Sequence, residues 1–95
     1  MAAYIIVDSN VHDPERIKAY GAKVGATIKA HGAKPLVNGG AIEVLEGDWN
    51  PKRMVMLEFA DADAARAWYN SPEYQEILPI RLESANDKLL LVEGL

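Results

Sequence analysis

The sequence contains no cysteine, which excludes disulfides, thiolate metal ligands and thiol nucleophiles and fits a reducing compartment. It has no basic cluster either. Ten Lys and Arg stand singly among fourteen Asp and Glu, for a net charge of -4, which argues against nucleic acid as a partner. No apolar run approaches the ~20 residues of a membrane span, and the opening MAAYIIVDSN is too short and too soon polar for a signal peptide. A cytoplasmic protein without membrane contact is expected. Two histidines without a further ligand at metal spacing form no metal site, and no Gly-rich loop opens a helix after a strand, so neither metal nor cofactor is expected.

What is present suits one folded domain over residues 1–95, with 49% hydrophobic and 25% charged residues. A domain of this size buries only about two-thirds of its unfolded surface, so burial against a partner would add much to its stability. AYIIVDS (3–9) reads as a strand. After it, Asp13 as N-cap and Pro14 at the first helical position predict a helix from Pro14, with Ile17, Tyr20, Val24 and Ile28 on one face and Gly32 as its stop. KPLVN (34–38), a turn at NGG (38–40) and AIEVLEG (41–47) read as a strand, a reversal and a second extended piece. RMVMLEFA (53–60) is a further strand, Asp61 caps a helix, Ser71-Pro72-Glu73 restarts it at a new angle, and KLLLVEG (88–94) closes the chain as a strand.

The order β-α-β-β-α-β is the α+β, ferredoxin-like plan: a four-stranded antiparallel sheet with both helices on one face. Such a sheet ordinarily leaves its other face to water, with polar residues alternating along each strand. These strands do not alternate. Tyr4 and Ile6 oppose Ala3, Ile5 and Val7; Met54 and Met56 oppose Val55, Leu57 and Phe59; Leu90 and Val92 oppose Leu89 and Leu91. Both faces require cover while the helices supply it to one, so a homodimer that packs sheet to sheet is expected, with Met54 and Met56 at its interface. Trp49, in the polar loop EGDWNP, either packs on the partner or clusters locally with Pro51, and in both cases is expected near the subunit boundary.

EVLEGDW, LEFADADAARAWYNSPEYQ, Arg81 and the closing LLLVEG resemble the bacterial family called domain of unknown function 1330, and YIIVDSNVHDPERIKAY and HGAKPLVNGG extend the resemblance over the whole chain. The resemblance implies the fold of the dimeric α/β barrels, a group that includes cofactor-free monooxygenases, small isomerases, dehalogenase-type decarboxylases and chlorite-dismutase relatives. Pro79 departs from the family pattern. A proline within a helix costs roughly 3 kcal/mol, so a kink or break is expected near Leu78, and the direction of Arg81 depends on it.

Arg81 is the most informative candidate. Tyr74, Ile77, Leu78 and Arg81 fall at i, i+3, i+4 and i+7, so the guanidinium continues an apolar stripe and must anchor an anionic ligand or pair internally with Asp8, Glu43 or Glu58. Trp68 and Tyr69 lie about 100° apart on a helix, and Trp68, beside small residues, is taken as the inward one, either core or pocket wall. Ser71 is either a helix cap or part of an anion site. His31, at a helix end, and Asp8 are the candidate acid or base groups, against plain surface and sheet-rim roles. Tyr20 and Tyr74 complete the expected ligand-binding set. The expected function is binding of, or cofactor-independent chemistry on, a small, partly apolar carboxylate or phenolic compound, with a non-catalytic dimeric module as the alternative.

Overall fold

In the computed structural model, which describes residues 1–95, the elements run β1 (Ala3–Ser9), α1 (Ile17–Ala30), β2 (Lys34–Asn38), β3 (Arg53–Phe59), α2 (Ala62–Tyr69), α3 (Pro72–Ser84) and β4 (Lys88–Glu93). The four strands form one sheet in the order β2-β3-β1-β4, antiparallel at every pairing. This is the ferredoxin-like arrangement the strand order predicts. With principal extents of 36 × 33 × 16 Å, the molecule is a slab of two layers.

The parity of β1 divides the sheet. Ala3, Ile5, Val7 and Ser9 are buried beneath the helices, and the residues between them are half-buried on the other face. Leu57 and Phe59 join the helix side from β3. The opposite face carries an apolar row in which Ile6 lies between Met56 and Leu90, and a mixed row in which Tyr4 lies between Glu58 and Val92. No helix covers that face. Leu90 is 59% exposed and Val92 41%.

Three local readings are corrected. The first helix begins at Ile17 and not at Pro14, because the Asp13 carboxylate accepts from Arg16 N at 3.1 Å and holds residues 14–16 in a turn ahead of it. The extended piece at 41–47 is part of a long loop without strand pairing. Residues 53–59 take the place beside β2, and Gly39, at φ 76°, closes the end of that ladder by donating to Met54 O at 2.9 Å. Finally, α3 runs unbroken from Pro72 to Ser84 through Pro79. The donor that Pro79 lacks would have met the Gln75 carbonyl, and both residues are exposed, so that carbonyl is open to solvent. Pro79→Ala is therefore expected to raise the unfolding free energy by up to about 3 kcal/mol in urea titrations.

The helices are seated unequally. Asp61 caps α2, accepting from Ala64 N at 2.7 Å, and Ser71 caps α3, accepting from Tyr74 N at 3.2 Å. Trp68, Tyr74, Ile77 and Leu78 fill the core against Ile5, Leu57 and Phe59. By contrast, α1 buries only Thr27 and packs chiefly on α3, standing away from the sheet. That offset leaves a cleft.

Candidate functional site

The cleft, about 760 Å³, lies between α1 and the helix-side face of the sheet. This is within the range of small-molecule sites. Val7, Val55, Leu57 and Leu89 form its sheet wall, and Tyr20, Gly21, Val24, Gly25 and Ile28 its α1 wall. Trp68, Tyr74, Arg81 and Asp87 line the inner part. The walls are mostly apolar; Lys18, Lys29, Asn38 and Arg53 are exposed in the lining, and Tyr20, Tyr74, Arg81 and Asp87 form an enclosed polar cluster.

That cluster is built from three segments. Tyr20 on α1 and Tyr74 on α3 share a hydroxyl–hydroxyl hydrogen bond of 2.8 Å. Arg81, two turns beyond Tyr74, donates from one terminal nitrogen to Asp87 Oδ2 at 3.1 Å, and both side chains are at least nine-tenths buried. The other carboxylate oxygen of Asp87 accepts from Asn10 N at 2.9 Å, which ties the entry to β4 to the exit from β1. The carboxylate compensates the burial of the guanidinium at that one terminal nitrogen. The guanidinium Nε is buried and without any hydrogen-bond partner.

Protonation states follow from the surroundings. Burial pushes the Tyr20 hydroxyl far above its ordinary value, and the neighbouring Tyr74 adds to that shift, so Tyr20 remains a proton donor. Burial pulls the Arg81 guanidinium down, but Tyr74, Tyr20 and Asp87 outweigh it, and the net direction is up. Arg81 stays a cation.

The aromatic residues act as both core and wall. Trp68 is buried with its ring 4.2 Å from that of Tyr74 and 5.7 Å from that of Phe59. Its indole N–H donates to Thr27 Oγ1 at 3.1 Å, and Thr27 in turn donates to Val24 O at 2.7 Å. Together with the Tyr20–Tyr74 hydrogen bond, this contact fixes the helix at its distance from the sheet. Tyr69 packs beside this pair, 5.5 Å from the Tyr74 ring.

Three expected site residues lie elsewhere. Asp8 is on the opposite face of the sheet, where its carboxylate accepts from the Trp49 indole N–H at 2.9 Å, and it cannot act in the cleft. His31 is turned away from the cleft at the end of α1, with Nε2 3.8 Å from a Glu73 carboxylate oxygen. The Glu73 carboxyl is held below its ordinary value by a backbone hydrogen bond at the start of α3, and further by Ser71 and His31. Ser71 does not line the cleft: its hydroxyl donates to Trp68 O at 2.8 Å and receives Tyr74 N, which is a cap joining two helices. Ser71→Ala is expected to cost about 1 kcal/mol of stability in urea, with affinity for cleft ligands unchanged.

Arg81 also pairs with a residue other than those expected: Asp87, and not Asp8, Glu43 or Glu58. The signal for Asp87 was an acid six residues after the arginine, just past the end of the helix. Gly21 and Gly25 were not anticipated as site residues. They are one turn apart in the interior of α1, each costing about 1 kcal/mol relative to alanine, and a Cβ at either would meet no protein atom within 4 Å.

The family model described as Domain of unknown function (DUF1330) matches residues 2–95. The chain belongs to the DUF1330 family. No curated protein matches it. Among solved structures, this DUF1330 chain is similar to a protein of unknown function from Rhodopseudomonas palustris, with a TM-score of 0.73 at 19% identity over 99% of this chain and 82% of the other. It is similar to SnoaB, a cofactor-independent oxygenase from Streptomyces nogalater, at TM-score 0.63 and 14% identity over 99% and 92%. A putative antibiotic biosynthesis monooxygenase from Nitrosomonas europaea gives 0.58 and 13% over 99% and 90%. At these identities the likeness is one of fold. No helix of the chain is long and apolar enough to cross a membrane.

Proposed function

We propose that this DUF1330 protein binds a small, partly apolar compound through a carboxylate or phenolic oxygen held at Arg81, Tyr20 and Tyr74. The observation that carries the reading is the buried, unpartnered Nε of Arg81 at the inner end of an open apolar cleft. A buried donor without an acceptor is costly, and an anionic oxygen supplies one. Bound there, a carbonyl-derived oxyanion would be stabilised by the guanidinium while Tyr20 keeps its proton for donation. Asp87, the one carboxylate in the lining, has both oxygens occupied by Arg81 and Asn10 N and serves to hold the guanidinium in place. Cofactor-independent proton transfer or oxygenation fits this set, and the shared fold with a cofactor-independent oxygenase supports the direction.

The protein acts, in this reading, as a cytoplasmic homodimer joined through the uncovered apolar face of the sheet, with Met54 and Met56 in the interface and Trp49 at its margin. The alternative of a non-catalytic dimeric module draws on one observation: Asp87 already pairs with Arg81 internally. NMR titration of the isotope-labelled protein with benzoate, phenol and cyclohexanol separates the two. The ligand reading expects benzoate and phenol to shift Tyr20, Gly21 and Arg81, cyclohexanol to leave them, and Arg81→Gln to abolish the benzoate response. A silent cleft, or a benzoate response that survives in Arg81→Gln, would leave the structural module.

A further inference from the structure

We infer that the ligand is flat, an aromatic acid or phenol whose ring lies against the bare backbone of Gly21 and Gly25. This rests on the ligand reading of the cleft and adds the shape of the molecule and the residues that select it. Two independent observations meet here.

The first is the pair of glycines. Positions four apart on a helix share a face, and in α1 that face lines the cleft. Glycine inside a helix is ordinarily justified by another chain segment approaching too closely for a side chain, or by a positive φ. Neither holds: both residues are helical and exposed on the open side of the cleft, with no other segment of the chain near either missing Cβ. Alanine would fit at either position without displacing any atom of the protein and would favour the helix. The chain forgoes that stabilisation at two adjacent turns, both facing the same cavity, so the space is kept for a molecule the chain does not itself supply.

The second is the cation. Arg81 is 6% exposed, its Nε unpartnered, and it lines the same cleft as the glycines. Tyr20, immediately before Gly21, is in the polar cluster, so the glycine strip begins where the head group ends. Opposite the strip stand Val55, Leu57 and Leu89 of the sheet. Between the side chains of Tyr20, Val24 and Ile28, α1 presents bare backbone at Gly21 and Gly25 toward the sheet wall, which leaves a narrow slot. A slot admits a ring on its face and rejects a globular group of equal carbon count.

The test uses two acids with one head group and different shapes, 2-naphthoate and 1-adamantanecarboxylate, titrated calorimetrically into the wild type, the double variant Gly21→Ala/Gly25→Ala, and Arg81→Gln. The wild type is expected to bind 2-naphthoate at least tenfold more tightly. The double variant is expected to melt several degrees higher than the wild type and to lose at least tenfold in 2-naphthoate affinity, a rise in stability with a fall in binding that a merely structural role would not produce. If 2-naphthoate binding depends on Arg81 but is unchanged in the double variant, or if both acids bind equally, the flat-ring inference is overturned and the anion site stands. If the wild type binds neither acid, or binding survives in Arg81→Gln, the ligand reading itself fails and the inference fails with it.

Discussion

Asp87→Ala is expected to lower the unfolding free energy by about 3–5 kcal/mol, because it removes the hydrogen-bonded counter-charge of an almost wholly enclosed guanidinium. Both side chains of the pair are almost wholly enclosed, 8% and 4% exposed, so screening offers little relief. Asp87 also receives the backbone N–H of Asn10, and its removal leaves a second donor unsatisfied while loosening the junction between β1 and β4. The double variant Arg81→Met/Asp87→Leu is expected to recover most of the loss, since neither substituent requires a partner. Urea unfolding of the four members of this cycle gives the coupling directly. Additive losses would mean that the charges are solvated and that the cluster is not a closed polar site.

The second large effect concerns the other face of the sheet. Met56 sits opposite Ile6 in the row that ends at Leu90, at the centre of the uncovered apolar surface. In the proposed dimer two-fold symmetry places every substitution in the interface twice, and each unpaired buried carboxylate costs several kcal/mol. Met56→Glu should therefore raise the dimer dissociation constant by more than about a thousandfold, at 1.4 kcal/mol per factor of ten. Light scattering after size exclusion is expected to find a dimer for the wild type and a monomer for the variant, with each monomer retaining its helix-side core. A wild type that runs as a monomer would remove the proposed dimer.

Much of this architecture is legible in the residues because its signals are local. Asp61 and Ser71-Pro72 announce two helix starts in the order needed to turn the chain over the sheet, and both side chains accept the expected backbone donors. The spacing of Tyr74, Ile77, Leu78 and Arg81 places the arginine on a buried stripe, and all four are buried. Strand parity is equally clear, but it sorts residues into two sets without saying which set the helices cover. Parity groups Asp8 with Tyr4 and Ile6, and that set lies on the face away from the helices, so Asp8 is remote from the cleft.

The features that escaped the sequence depend on distant segments. Asp87 reaches Arg81 because β4 pairs with β1 and draws residues 85–87 back beside the end of α3. His31 extends the apolar spacing of α1 by one turn, but the helix ends before it and the side chain turns to Glu73. The role of Gly21 and Gly25 rests on α1 standing off the sheet, which follows from where Thr27 meets Trp68 and cannot be read from either residue alone. Helical periodicity identifies the inward side of α1; it does not give the distance to what that side faces.

The most direct test of the account is native mass spectrometry of the protein taken gently from its host, wild type beside Arg81→Gln. The wild type is predicted to carry one small acidic molecule per chain, absent from the variant although the variant remains folded. Identical spectra from the two proteins, with no bound molecule on either, would contradict the claim that Arg81 anchors a ligand in the cleft beneath α1.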